Sequence, residues 1–231
     1  MLVFKDTILG LAAGVRLTSN DMLHKGDWIT VKSVDANGIV EDMSLTTVKV
    51  RNFDNTIVTI SPATLVNGSF QNWIGMQKSG GRRVKRIVYF DFRSIRLVDE
   101  TLKQTLLAKH FATEDSFKLK ESLQKAIEKD IEEGKDIEDL KNPAALAPTN
   151  LQLYRRFMEK YLRQRPEVNT ELTLMVRHME ATQCGLPIEF YFFIKDKVWV
   201  NYEHILADIM EHAYALANEF GLKIYEQYPE Q

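Results

Sequence analysis

Five histidines, one cysteine and a cluster of basic residues are the side chains with the most chemistry to offer. His204 and His212 share one helical stretch but stand eight residues apart, and neither belongs to a His-Glu-x-x-His zinc pattern. Cys184 has His178 nearby in sequence, but one such pairing does not make an activated nucleophile. A single cysteine also rules out an internal disulfide and a thiolate metal cluster. Gly80-Gly81 has neither the spacing of a dinucleotide loop nor a following Lys-Ser pair of the phosphate-cradling kind. No two carboxylates fall in a convincing acid–base arrangement. The chain therefore reads as non-enzymatic, with no catalytic residue, cofactor or metal.

The basic run Arg82-Arg83-Val84-Lys85-Arg86 could meet an RNA backbone, because small β-barrels are common nucleic-acid scaffolds. Against that, Lys85 and Arg86 fall on opposite faces of a strand, as do the aromatics Tyr89 and Phe90. A formal net charge of -2 gives no global field for polyanions. The plainer expectation is a charged strand facing solvent or an acidic neighbour, with no nucleic acid bound.

These residues must be positioned by elements, and the first element is the most distinctive. Residues 4–17 read as a helix, with Phe4, Ile8, Leu11, Ala12 and Val15 at helical spacing. Gly10 and Gly14 sit four residues apart around Ala12 and Ala13. Each glycine costs a helix about 1 kcal/mol, so close approach of another helix is the expected compensation. Yet no window reaches the roughly 18 consecutive apolar residues of a membrane span. Lys5 and Asp6 beside a short apolar run argue against a signal peptide. The expectation is the last piece of a membrane assembly whose spans lie elsewhere.

The chain as a whole is ordinary globular material, 45% hydrophobic and 27% charged, long enough for two modest domains. Residues 28–34, 39–43, 46–51 and 56–60 read as short strands, with turns at Asn37-Gly38 and Asp54-Asn55. Their close succession suggests a small, strongly bent β-barrel. Residues 77–83 read as a polar linker. Beyond it come a strand from Val84 with Phe90 and Phe92 on one face, a helix over 149–163 capped by Asn150, and strands over 172–178 and 188–194. A helix over 201–220 stopped by Gly221 and a last short strand over 222–225 complete the order β-α-β-β-α-β, the ferredoxin-like arrangement. Between the first strand and the first helix, residues 97–148 form an insertion. Its charged part carries Leu123, Ile127 and Ile131 on one stripe, which predicts a helical hairpin. Docking of another protein by this insertion is a third functional reading.

In order and spacing, the motifs resemble the cytoplasmic part of the small-conductance mechanosensitive channel (MscS-like) family. Leu11-Ala12-Ala13-Gly14-Val15 looks like the second half of its pore-lining helix. His24-Lys25-Gly26-Asp27-Trp28-Ile29 resembles the approach to its β-domain. Gly38-Ile39-Val40, Thr46-Thr47-Val48 and Ile60-Ser61-Pro62-Ala63 resemble the strands that follow, although Ser61 interrupts the last motif and Ala63 stands where a polar residue is usual. Thr149-Asn150-Leu151, Tyr161-Leu162-Arg163, Met175-Val176-Arg177 and Gly185-Leu186-Pro187-Ile188-Glu189 look like the mini-conductance, YbdG-like branch.

The resemblance implies an α+β chain in three parts: a remnant of a pore-lining membrane helix over 1–20, an Sm-like β-domain over 21–80, and a ferredoxin-like α/β domain over 81–231. It implies a homoheptamer in the bacterial inner membrane, this part being cytoplasmic, which opens under tension during hypo-osmotic stress. Gly10, Ala12, Ala13 and Gly14 would be packing and hinge positions. Arg82, Arg83 and Lys85 would charge the openings of a cage that filters ions. The partners would be further copies, the bilayer through absent upstream helices, and permeating ions. The strand that closes the bottom of the family's cage would be present only as a rudiment.

Overall fold

The computed structural model describes residues 5–118, 125, 129, 132 and 147–227. The chain divides into two compact units, Met1–Ser79 and Gly80–Gln231, each with its own apolar core. It is an α+β protein whose sheets are antiparallel.

The first unit begins with α1 (Lys5–Ser19), followed by β1 (Trp28–Val31), β2 (Ala36–Met43), β3 (Val48–Asn52), β4 (Ile57–Ile60), α2 (Pro62–Asn67), β5 (Gln71–Asn72) and α3 (Ile74–Lys78). The sheet order is β4-β3-β2-β1-β5. Alternation sends Val48 and Val50 into the core with Ile29, Val31, Val40 and Ile60, while Lys49 and Arg51 face out. A register shift between Val40 and Asp42 bends β2. The expected barrel is not closed: β5 pairs with β1 alone and β4 with β3 alone among the described residues, so the sheet has two free edges. Ser61 caps α2 by accepting from the Thr64 amide at 3.2 Å, with Pro62 at the first helical position.

The first hairpin differs from expectation. β1 stops at Val31 because a 3-10 turn over Lys32–Val34 intervenes. The left-handed residue there is Asp35 (φ 51°), while Gly38 lies inside β2. Gly38 is needed for close approach, since a Cβ there would overlap the Arg51 carbonyl oxygen across the ladder. At the other hairpin Asn55 adopts φ 69°, as its type allows.

The second unit runs β6 (Arg82–Phe90), α4 (Glu100–Ala108), α5 (Asn150–Gln164), β7 (Met175–His178), β8 (Leu186–Ile194) and α6 (Trp199–Glu219). β8 is central, paired with β6 from Arg82↔Ile194 to Phe90↔Leu186 and with β7 from Met175↔Tyr191 to His178↔Ile188. Val84, Val88 and Phe90 join Ile188, Phe190, Phe192 and Ile194 in one core with Tyr154, Met158 and Leu162 of α5 and Ile209, Ala213 and Ala217 of α6. Phe92 leaves the strand into a short turn and is exposed. The strand expected over 222–225 is a single bridge, Phe90↔Ile224, on the far side of β6. Leu186 and Pro187 are strand residues; the turn before them is at Gln183-Cys184, and Gly185 adopts φ 90° as it leaves that turn.

Thr149, not Asn150, caps α5, accepting from the Gln152 amide at 3.1 Å. Asn150 is fully buried in the second core instead. In the insertion, the described part holds α4 and a 3-10 turn over Glu114–Phe117. The stripe Leu123, Ile127 and Ile131 lies outside the described residues.

Candidate functional site

α1 has two different faces. Gly10, Ala13, Gly14 and Leu17 recur at helical spacing on one side, and Ala13, Gly14 and Leu17 are buried in their own unit. A Cβ at Gly14 would overlap the carbonyl oxygen of Leu45, in the β2–β3 turn. Gly14 is therefore turned inward, toward its own sheet. The other side carries Ile8, Leu9, Leu11 and Val15, which are 63%, 52%, 44% and 51% exposed, with Ala12 exposed beside them. The periodic stripe visible in the sequence is thus the outer face. The buried stripe is the one drawn with small residues.

The C-terminal end of α1 leads into a knot of polar contacts. Asp21 turns the chain at φ 58° and Gly26 at φ 94°. Asp27 is buried, accepting from the His24 amide at 3.0 Å and from Asn72 Nδ2 at 2.8 Å. The His24 ring meets Asp21 at 3.0 Å. The motif around Gly26 and Asp27 therefore works as a corner tying the helix to β1 and β5.

Sequence reasoning missed the aromatic brace of this unit. Trp28 stacks on Trp73 with centroids 4.7 Å apart, and Phe53 meets Trp28 edge-on at 5.3 Å. Trp28 Nε1 donates to Asn37 Oδ1 at 2.9 Å, and Trp73 Nε1 donates to Thr30 Oγ1 at 2.9 Å. Trp28 and Thr30 share a parity on β1, which was the available signal.

The three cations expected to act together are split. Arg82 lies over the Tyr202 ring of α6 at 4.4 Å. Burial pushes the Tyr202 hydroxyl's pKa up, with Arg82 and Arg86 opposing; it donates to the Arg83 carbonyl at 2.9 Å. By strand alternation, Arg83 and Lys85 share the opposite face, where Arg83 is 6.0 Å from the Tyr191 ring. On that face sits the fully buried Glu189, 2.5 Å from Arg177 Nε and 3.6 Å from Lys85 Nζ. Neither Glu189 nor Arg177 was anticipated, although one acid inside the apolar run of β8 was a legible signal. This splitting removes the continuous basic stripe on which the RNA reading rested.

Among the described residues, no group of three His, Cys, Asp or Glu side chains is placed to hold a metal ion. Cys184 is exposed in its turn. Among the described residues, no helix is long and apolar enough to cross a membrane.

A small-residue helix leading through a polar corner into a bent five-stranded sheet defines a recognisable class. Residues 6–75 match the mechanosensitive ion channel β-domain. The small-conductance mechanosensitive channel MscMJ of Methanocaldococcus jannaschii is 32% identical over 71 residues, which are 31% of this chain and 20% of that protein. An uncharacterized MscS family protein of Helicobacter pylori is 29% identical over 93 residues, 40% of this chain and 14% of that protein. The matched region thus spans a fifth or less of these two relatives' own length. Two solved structures share the fold over almost the whole chain. Arabidopsis thaliana MSL1 gives a TM-score of 0.62 at 10% identity, covering 97% of this chain and 61% of that one. The closed state of Helicobacter pylori MscS gives 0.58 at 12% identity, covering 100% and 66%. Over residues 6–75 this chain is similar to the MscS-like channels, and it shares the fold of two MscS-type structures along almost its whole length.

Proposed function

We propose that this chain is the cytoplasmic portion of a mechanosensitive ion channel that opens under membrane tension during hypo-osmotic stress. The observation that carries the reading is the outer face of α1. Four large apolar side chains stand bare on a helix whose opposite side is already packed. In water such a face calls for a partner. As the lower half of a pore-lining helix it would have one on each neighbouring copy in a homoheptameric ring, with Ala12 permitting close approach and Gly10 and Gly14 as hinge or packing positions. The upstream spans would lie in the bacterial inner membrane.

Gating by tension needs two states of different area in the membrane plane, so that lateral force shifts their populations. A ring of β-units below would hold the copies in register while the helices move. The two free edges of the first sheet support such a ring, because unpaired edges are natural joining surfaces. The second unit is read as ferredoxin-like: the single bridge at Ile224 supplies the outermost position beside β6, giving the spatial order of that arrangement. Arg82, Arg83 and Lys85 would charge the cage openings and filter ions. The channel relatives favour this non-enzymatic reading. Membership of the mini-conductance, YbdG-like branch rests on the insertion and the motifs flanking it.

The test is Val15→Asp in the channel that carries this chain, recorded in pressure-clamped membrane patches. A charge on the outer face should weaken helix–helix packing in the closed ring and lower the opening tension. An unchanged threshold, with the protein verified in the membrane, would count against a pore-lining α1.

A further inference from the structure

In the second unit, the segment after α4 and one face of α5 enclose a cavity of about 270 Å³. Its apolar wall is aromatic. Phe111 and Phe157 meet edge-on at 5.3 Å, and Tyr161 stands beside them. Its polar rim is cationic. Arg156 and Lys160, one helical turn apart on α5, both line it, together with His110. Among the described residues, no carboxylate lines it.

The two cations are left unmatched. Arg156 and Lys160 make no ion pair among the described residues, whereas the acids of the adjoining 3-10 turn are already paired, Glu114 with Lys103 at 3.8 Å and Asp115 with Lys118 at 2.6 Å. Like charges at this spacing repel on a helix surface, and an anion shared between them would relieve the repulsion.

The backbone holds His110 at the rim in an uncommon way. The chain leaves α4 with His110 in the left-handed region, φ 58°, where glycine is the ordinary choice. The Phe111 amide closes this turn by donating to the Leu106 carbonyl at 2.9 Å. The turn seats Phe111 against Phe157 and Phe220. Glycine would end the helix at lower cost, so an imidazole kept there suits a ligand contact better than a helix stop. Further along the same segment, the Thr113 and Ser116 hydroxyls lie 3.2 Å apart. One donates to the other, which leaves one hydroxyl hydrogen for a ligand.

We propose that this cavity binds a small phosphomonoester carried on a flat ring. Arg156 grips the phosphate with its planar fork and Lys160 adds a point charge, a pair suited to a dianion. His110 and the free hydroxyl hydrogen complete the head-group contacts. The ring packs against the wall of Phe111, Phe157 and Tyr161. The volume is at the small end for ligand pockets, about 300 Å³, so the site takes one ring with one phosphate and not a polymer. None of these residues has a part in the proposed function, so the site stands or falls apart from it.

The test is a titration of the chain with phenyl phosphate, followed by residue-resolved amide shifts. Binding should saturate with a Kd of about 1 mM or tighter and move residues 110–116 and 153–164. Inorganic phosphate and phenol, the head and the ring alone, should each bind about tenfold more weakly. Arg156→Gln and Lys160→Gln should each weaken phenyl phosphate by about fivefold or more. Both residues are exposed, so neither change should disturb folding. Arg163→Gln removes an exposed charge from the same helix but away from the cavity, and should alter the affinity by less than about twofold. Failure to saturate, shifts confined to other segments, inorganic phosphate binding as tightly as phenyl phosphate, or an equal loss in Arg163→Gln would each overturn the proposal.

Discussion

The side-chain amide of Asn150 donates to the carbonyl of Phe220, seventy residues further along, at 3.1 Å, inside a fully buried site. The same amide nitrogen donates to the Ser94 carbonyl at 2.9 Å, and Oδ1 accepts from the Arg96 amide at 3.1 Å. One side chain thus satisfies the end of α6 and the turn after β6 at once. Asn150→Leu takes a partner from two carbonyls, Ser94 and Phe220, and from two amides, Arg96 and Leu151. It should cost about 3 kcal/mol, read as a lower urea midpoint at constant slope.

Glu189 is a fully buried acid whose charge faces Arg177 at 2.5 Å and Lys85 at 3.6 Å. Removing Arg177 strands much of that charge, although Arg177 is half exposed and water takes part of the load. Arg177→Ala should destabilise the second unit by about 1–3 kcal/mol. Combining it with Glu189→Leu should restore much of the loss, because an apolar residue suits the site better than an unpaired carboxylate. A double-mutant cycle in urea checks the coupling.

Tyr154 ties stability to alkaline pH. Its hydroxyl donates to the Ala213 carbonyl at 2.7 Å, and burial pushes its pKa well above the ordinary 10.0. A raised folded-state value means that its stabilisation is complete below pH 10 and lost as pH rises toward the folded value. Tyr154→Phe should cost about 1 kcal/mol at neutral pH. It should also flatten the fall in melting temperature above pH 10, in a thermal series from pH 7 to 12.

Gly38 is a test of backbone proximity without left-handed geometry. Gly38→Ala must push β2 from β3 at Arg51, and should cost about 2 kcal/mol or more. Trp28, stacked on Trp73, begins β1, whose Ile29 pairs with Gly38, so a shift in tryptophan emission should accompany the loss.

Much of the fold was legible because it is written in alternation and turn chemistry. Val48 and Val50 against Lys49 and Arg51 fix the inward face of β3, and Ser61-Pro62 announces α2. What was not legible depends on contacts distant in sequence. A helical period cannot say which of two stripes faces the core, so the larger residues Ile8, Leu11 and Val15 drew attention while Ala13, Gly14 and Leu17 did the packing. Asn150 looks like a cap until Phe220 and Ser94 are placed beside it. Gly38 looks like a turn residue until Arg51 lies across from it. In the candidate site, alternation already separates Arg82 from Arg83 and Lys85. The partners Tyr202 and Glu189 become visible only once α6 and β8 are positioned.

The most direct measurement is a pressure-clamp recording of the wild-type channel that carries this chain, in membranes lacking other tension-gated channels. The account predicts currents that are silent at rest and switch on as suction rises, in steps of uniform size. Verified expression in the membrane with no current up to the tension at which patches rupture would contradict it.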